Sequence, residues 1–233
     1  MTKPQSGSPC LHPDPAPIIR TMKRLLPVSI VVVAVAIARG VQLWLAERKR
    51  REVFPARDAA VLLNPARRLI QRPESVVRAF GLKPGDTVLE VGPGPGYFSP
   101  VAAAAVRPGG RLICFDLQPE MLGLLRRRLD ESGAAGRVDL VAGDAMQLPF
   151  REEAFDAAFL VAVLGEVPEP QAAARELARV LRPGGDVSFC ETFTDPDYVR
   201  LPVMRATCAT AGLTSVGWQR QLIGYIARFS KPA

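Results

Sequence analysis

Val88-Leu89-Glu90-Val91-Gly92-Pro93-Gly94-Pro95-Gly96-Tyr97-Phe98 is the stretch whose reading decides the fold. An apolar run feeds a glycine-rich turn, and the turn leads into a helix. Glycines let backbone approach a ligand where a Cβ would collide, and the start of the following helix offers free N–H groups. Dinucleotide-binding loops want G-x-G-x-x-G. Here the glycines stand at 92, 94 and 96, and Tyr97 occupies the place of the third dinucleotide glycine. Pro93 and Pro95 also remove two N–H donors that a pyrophosphate cradle would use.

Outward from this turn the chain alternates between short apolar runs and helical stretches. Strands are expected at Thr87–Val91, Arg111–Asp116, 137–142, Phe155–Val161 and 186–190. Helices are expected from about Tyr97, over Pro119–Glu131, over 170–181 and near 198–211, with a first helix over 74–80 between Pro73 and Gly81. Two late β-like segments, 213–219 and 222–229, lie close enough to pair antiparallel at one edge. The expected architecture is α/β: a Rossmann-like, seven-stranded, mostly parallel sheet with helices on both faces and an antiparallel last strand pair.

Two carboxylates follow strand ends. Asp116 stands 20 residues after Gly96 and closes the second strand. It can accept both hydroxyls of a ribose, or cap the helix that begins at Pro119. Gly143-Asp144-Ala145-Met146 follows the third strand; Asp144 can take the exocyclic amine of an adenine, or the four residues can be a plain turn.

The order E-V-G-x-G-x-G, strand-two Asp, G-D-A after strand three, F-D at strand four and L-R-P-G-G before strand five resembles the class I S-adenosylmethionine-dependent methyltransferases. The branch it resembles most includes the ubiquinone/menaquinone methyltransferases. The resemblance covers roughly residues 74–230 and implies S-adenosylmethionine as cofactor. It implies that Gly92, Gly94 and Gly96 pass under the cofactor's methionine and ribose, and that Glu90 supports the loop and the amino group. It further implies that Asp116 binds the ribose and that Asp144 and Met146 hold the adenine. Phe155-Asp156 would open strand four, and Arg182-Pro183-Gly184-Gly185 would be a structural turn into strand five.

The segment after strand four departs from the family. Many relatives carry a histidine there, and base-methylating relatives an Asn/Asp-Pro-Pro-aromatic segment. This chain has Val163-Leu164-Gly165-Glu166-Val167-Pro168. Its one histidine, His12, lies in a proline-rich leader, which excludes His-based triads and zinc sites from the folded domain. If the acceptor loses a proton, Glu166 or Glu191 has to take it, both expected on the rim beyond the strand ends. Glu166 can equally be a capping or solvated carboxylate. Cys10, Cys114, Cys190 and Cys208 show no metal or disulfide spacing, so no metal is expected.

The formal charge of +7 is unevenly placed. Residues 1–55 carry nine Lys/Arg and three Asp/Glu, whereas residues 56–233 carry 21 and 20. A near-neutral body is a poor nucleic-acid footprint. Residues 1–24 read as a disordered leader with five prolines. Residues 25–46 are mostly apolar with Arg39 as their one charge, long enough for a spanning helix, and followed by Arg48-Lys49-Arg50-Arg51. A single-pass membrane anchor is the leading reading, with a cleaved signal peptide and a buried helix as alternatives. The basic flank places the body on the cytoplasmic side. Residues 47–73 form a basic linker with a first helix, either a solvated face or a collar against anionic lipid, and residues 74–233 form the methyltransferase domain. The expected acceptor is a small molecule or lipid, of quinone or phospholipid class. RNA or protein methylation and a non-catalytic, membrane-tethered cofactor-binding protein are the alternatives. A nicotinamide-dependent oxidoreductase is disfavoured by the glycine spacing and the lack of Tyr-x-x-x-Lys.

Overall fold

The apolar β-branched and aromatic residues of the central segments alternate between two buried layers, as a sheet covered on both faces requires. In the computed structural model, which describes residues 53–134, 136 and 138–233, seven strands form one sheet in the order β3-β2-β1-β4-β5-β7-β6. They are β1 (Thr87–Val91), β2 (Arg111–Asp116), β3 (Val138–Ala142), β4 (Phe155–Val161), β5 (Leu181–Thr192), β6 (Thr214–Gln221) and β7 (Gly224–Ser230). The pairs β1–β2, β1–β4, β2–β3 and β4–β5 are parallel, and β7 runs antiparallel between β5 and β6. The expected antiparallel pair is present, and its second strand inserts beside β5 while β6 forms the edge.

Six α-helices are described: α1 (Arg67–Ile70), α2 (Pro73–Phe80), α3 (Ser99–Ala105), α4 (Pro119–Glu131), α5 (Pro170–Val180) and α6 (Leu201–Thr210), after a 3-10 helix at Ala56–Leu63. One face of the sheet packs Leu89, Ile113, Leu160 and Phe189 against Leu177 of α5 and Met204 of α6. The other packs Val88, Leu112 and Phe159 against Phe80 of α2, Ala102 of α3 and Leu125 of α4. Phe80 and Phe159 stack with ring centroids 4.8 Å apart. Helices therefore lie on both faces. Gly81 ends α2 in the left-handed region at φ 73°, the stop expected of a glycine just past a helix.

The two family motifs at the far end of the sheet are structural. Asp156 accepts a hydrogen bond from the Thr87 N–H at 2.7 Å and pairs with Arg182. Arg182-Pro183-Gly184-Gly185 is not a turn before β5 but an excursion inside it: Leu181 pairs with Phe155, and the ladder resumes with Asp186 against Ala157. Pro183 has no N–H to give the ladder. Gly184 and Gly185 instead exchange hydrogen bonds with Lys231, each at 2.9 Å. The readings of residues 1–24 as a leader, 25–46 as a membrane helix and 47–52 as the start of a basic linker lie outside the described residues, as does residue 137. No helix among the described residues is long and apolar enough to cross a membrane.

Candidate active site

Parallel strands expose their carboxyl ends on one edge, and there the loops after β1, β2, β3 and β4 enclose a cavity of about 610 Å³. The glycine-rich turn forms its floor. Gly92 and Gly94 have φ of 68° and 54°, a conformation other residues rarely adopt. A Cβ on Gly92 would also run into Val163, so the turn after β1 and the segment after β4 meet only because residue 92 has no side chain. The Gly92 N–H donates to the Phe115 carbonyl at 2.8 Å, and the Gly94 N–H donates to the Asp116 carboxylate at 3.1 Å. Asp116 also accepts from the Gln118 N–H at 2.9 Å. Burial raises its pKa, and these N–H groups oppose the rise.

Glu90, Gly92, Gly94, Asp116, Asp144 and Glu166 all line this one cavity. Glu90 is 2% exposed. Burial pushes its carboxyl up to about 7, against the hydrogen bond that the Cys114 thiol donates at 3.3 Å. Asp144 accepts from the Met146 N–H at 2.8 Å, closing its own turn, and Gly143 lies so near the Phe115 ring that a Cβ would meet it at 2.7 Å. Glu166 accepts from the Phe54 N–H at 3.4 Å. Burial, joined by the nearby Asp195, Asp197 and Asp116, pushes its carboxyl up to about 7.

Three expected site residues do not line the cavity. Gly96 is turned toward α4, where a Cβ would strike Leu125. Met146 packs its side chain against the apolar layer under α5 and α6. Glu191 is not on the rim. It is 2% exposed, its carboxylate accepts the Val199 N–H at 3.1 Å, and burial pushes it up to about 8. The chain that follows β5 folds back over it, and Tyr225 holds that chain by donating to the Val199 carbonyl at 2.7 Å.

Residues 53–71 supply a wall that the sequence reading took for a linker. Val53, Phe54, Val61, Leu62, Arg67, Ile70 and Gln71 line the cavity. Gln118 ties this segment down: its side-chain amide donates to the Phe54 carbonyl at 2.8 Å and accepts from the Ala56 N–H at 3.3 Å. Arg67 lies 4.4 Å over the Tyr97 ring and donates to Gln71 at 2.8 Å, while the Tyr97 hydroxyl donates to the Gln71 carbonyl at 3.0 Å. The only sequence signal for this wall is the scatter of apolar residues among its arginines.

A seven-stranded sheet in this order, with a glycine turn and an acidic β2 end facing one cavity, defines the Rossmann-like methyltransferase class. Residues 89–189 match the family described as a methyltransferase domain, and this part of the chain belongs to it. A ubiquinone/menaquinone biosynthesis C-methyltransferase from Ectopseudomonas mendocina is 36% identical over 120 residues, 52% of this chain and 46% of that protein. A demethylmenaquinone methyltransferase from Clavibacter sepedonicus is 36% identical over 122 residues, 52% and 47% respectively. The chain thus aligns with about half the length of these curated relatives. Among solved structures, a SAM-dependent methyltransferase from Aquifex aeolicus superposes with TM-score 0.72 at 22% identity, covering 77% of this chain and all of that one. The [4+2]-cyclase SpnF superposes with TM-score 0.62 at 21% identity, covering 69% and 80%. At such identities the likeness is one of fold.

The cofactor that this domain implies is S-adenosylmethionine, and the residues fit it. The turn offers few N–H donors but close backbone approach, which suits a sulfonium amino acid better than a pyrophosphate. The Asp116 carboxylate and the buried Glu90 are acceptors matched to hydroxyl and ammonium groups.

Proposed function

We propose that this chain transfers the methyl group of S-adenosylmethionine to a small, largely apolar acceptor of quinone or lipid class, drawn from a membrane. The observation that carries the proposal is the continuity of one cavity. Gly92, Gly94, Asp116 and Asp144 share it with Glu166 and with the apolar side chains of Val61, Ile70, Val163 and Ile223. A polar cofactor half and an apolar acceptor half thus adjoin. The curated quinone methyltransferases that align with half of this chain support the acceptor class.

S-adenosylmethionine supplies an activated methyl on a sulfonium, so the protein's work is alignment and exclusion of water, worth roughly 7–11 kcal/mol of barrier. Asp116 would bind the ribose hydroxyls. A cationic amino group brought beside Glu90 would favour its ionised form. Asp144 and the backbone of residues 143–146 would hold the adenine, with Met146 behind that wall and Gly96 seating the loop on α4. The strap at residues 53–71 would exclude water. Glu166 would orient the acceptor or take its proton; a carboxyl near 7 is matched to that task at neutral pH. Glu191, sealed behind the wall, would fix the chain after β5. The apolar segment 25–46 and its basic flank support a single-pass anchor with the domain on the cytoplasmic side.

The test is mass spectrometry of lipid and quinone extracts incubated with the full chain and methyl-labelled S-adenosylmethionine. A labelled quinone or lipid is expected. Label found only in RNA or protein would refute the acceptor class. Alkaline carbonate extraction of cells expressing the chain tests the anchor, and complete release would refute it.

A further inference from the structure

Large apolar side chains exposed to solvent stand at and beside the cavity mouth. Val61, Ile70 and Leu117 line the cavity and yet are 66%, 43% and 53% exposed. Leu69, Phe193 and Leu222 are each next in the chain to a lining residue and are 80%, 58% and 72% exposed. They come from four separate parts of the chain: the 3-10 helix with α1, the turn after β2, the end of β5 and the β6–β7 turn. The Phe193 N–H donates to the Ile223 carbonyl at 3.0 Å, which joins the last two. Single exposed apolar residues need no explanation, but several gathered about one opening mark a contact surface.

We infer that this mouth docks on a lipid bilayer bearing anionic headgroups, so that an acceptor passes from the membrane into the cavity without crossing water. The inference deepens the proposed function and rests on its membrane-derived acceptor. Charge supports this occupant. Residues 53–74 carry four arginines against Asp58 and Glu74; Arg57, Arg68 and Arg72 are exposed on the segment that carries Val61, Leu69 and Ile70, with Arg57 and Arg68 in exposed ion pairs to Asp58 and Glu74 at 3.6 and 2.7 Å. Apolar side chains entering the acyl boundary beside cationic ones at the headgroups is the arrangement of an interfacial protein. A cation whose charge is not already neutralised strengthens binding to an anionic surface about fivefold. In the sequence, the basic run 48–51 and the apolar segment 25–46 precede this segment.

Hydrogen exchange of the full chain, with and without vesicles of phosphatidylglycerol and phosphatidylcholine, tests the inference. Short helices and turns exchange readily in solution. Amides at 61–72, 117–118, 193–194 and 222–223 are expected to slow together on vesicles, while those of β3 at the far edge do not change. Replacing Leu69→Asp and Leu222→Asp together should abolish that protection and leave S-adenosylmethionine affinity by calorimetry unchanged. Chain that co-floats with vesicles while its mouth exchanges as in solution would overturn the inference, as would chain that does not float. Protection that appears without lipid and grows with protein concentration would assign the face to a second copy and also overturn it. Calorimetry reports separately on the cofactor site, so loss of docking and loss of the methyl-transfer reading are distinguishable.

Discussion

Asp116 holds the glycine turn to the end of β2: its carboxylate accepts the Gly94 N–H at 3.1 Å on one oxygen and the Gln118 N–H at 2.9 Å on the other. A residue assigned to a ribose therefore also shapes the loop beneath it. Asp116→Ala should weaken S-adenosylmethionine binding by about 1–3 kcal/mol through lost charge-assisted hydrogen bonds. Asp116→Asn keeps one acceptor oxygen and should lose less. Calorimetry on both variants checks this; unchanged affinity in Asp116→Ala would remove the residue from the site.

Gly92 offers a test in which two causes separate. Any other residue at φ 68° costs roughly 1–2 kcal/mol, and its Cβ would strike Val163. Gly92→Ala should lower both stability and cofactor affinity. Adding Val163→Ala removes the collision but not the backbone strain, so it should restore part of the loss. Denaturant midpoints of the single and double variants give the answer. Full recovery in the double variant would mean that strain is negligible, and none would mean that the collision is.

Glu191 links burial to pH. Its carboxyl is pushed from an ordinary 4.5 up to about 8 by burial, so the folded state favours the protonated form. Its contribution to stability is fully present below about 4.5 and is lost as pH rises through about 8. Glu191→Gln keeps an oxygen for the Val199 N–H without the ionisation. At pH 8.5 the variant should be more stable than the parent by at least about 1 kcal/mol, the equivalent of a fraction of this shift. The difference should shrink toward pH 5. Urea unfolding at the two pH values measures it, and a difference that does not vary with pH would refute the ionisation argument.

The parallel part of the sheet was legible in the sequence because β1, β2 and β4 are short apolar runs bounded by glycine, proline or a carboxylate, and helical stretches separate them. Thr87–Val91, Arg111–Asp116, Pro119–Glu131 and Phe155–Val161 fall where the pattern puts them. Glu90, Gly92, Gly94, Asp116 and Asp144 line one cavity for the same reason, since they sit at or just beyond strand ends. The wall at residues 53–71 was not legible. Its apolar residues follow no helical or strand period, and its ties reach from Phe54 to Gln118 and Glu166, 64 and 112 residues away. The burial of Glu191 depends on how the chain after β5 folds back under Tyr225, which no local pattern encodes.

Glu166 is where the proposed chemistry is decided. It lines the cavity beside the turn that would hold the cofactor, its carboxyl is raised to about 7, and among the described residues it accepts a long hydrogen bond, 3.4 Å, from the Phe54 N–H. Such a group has capacity left to orient or deprotonate an acceptor. Glu166→Gln preserves shape and an oxygen for Phe54, so the strap and the cofactor affinity should survive. If the carboxylate is the base, single-turnover rates with the acceptor should fall by roughly 10²–10⁴-fold, and the rise of rate with pH through about 7 should vanish. Glu191→Gln should leave the rate near normal, because Glu191 does not line the cavity. Normal turnover in Glu166→Gln would recast Glu166 as a latch for the strap and leave alignment alone as the mechanism.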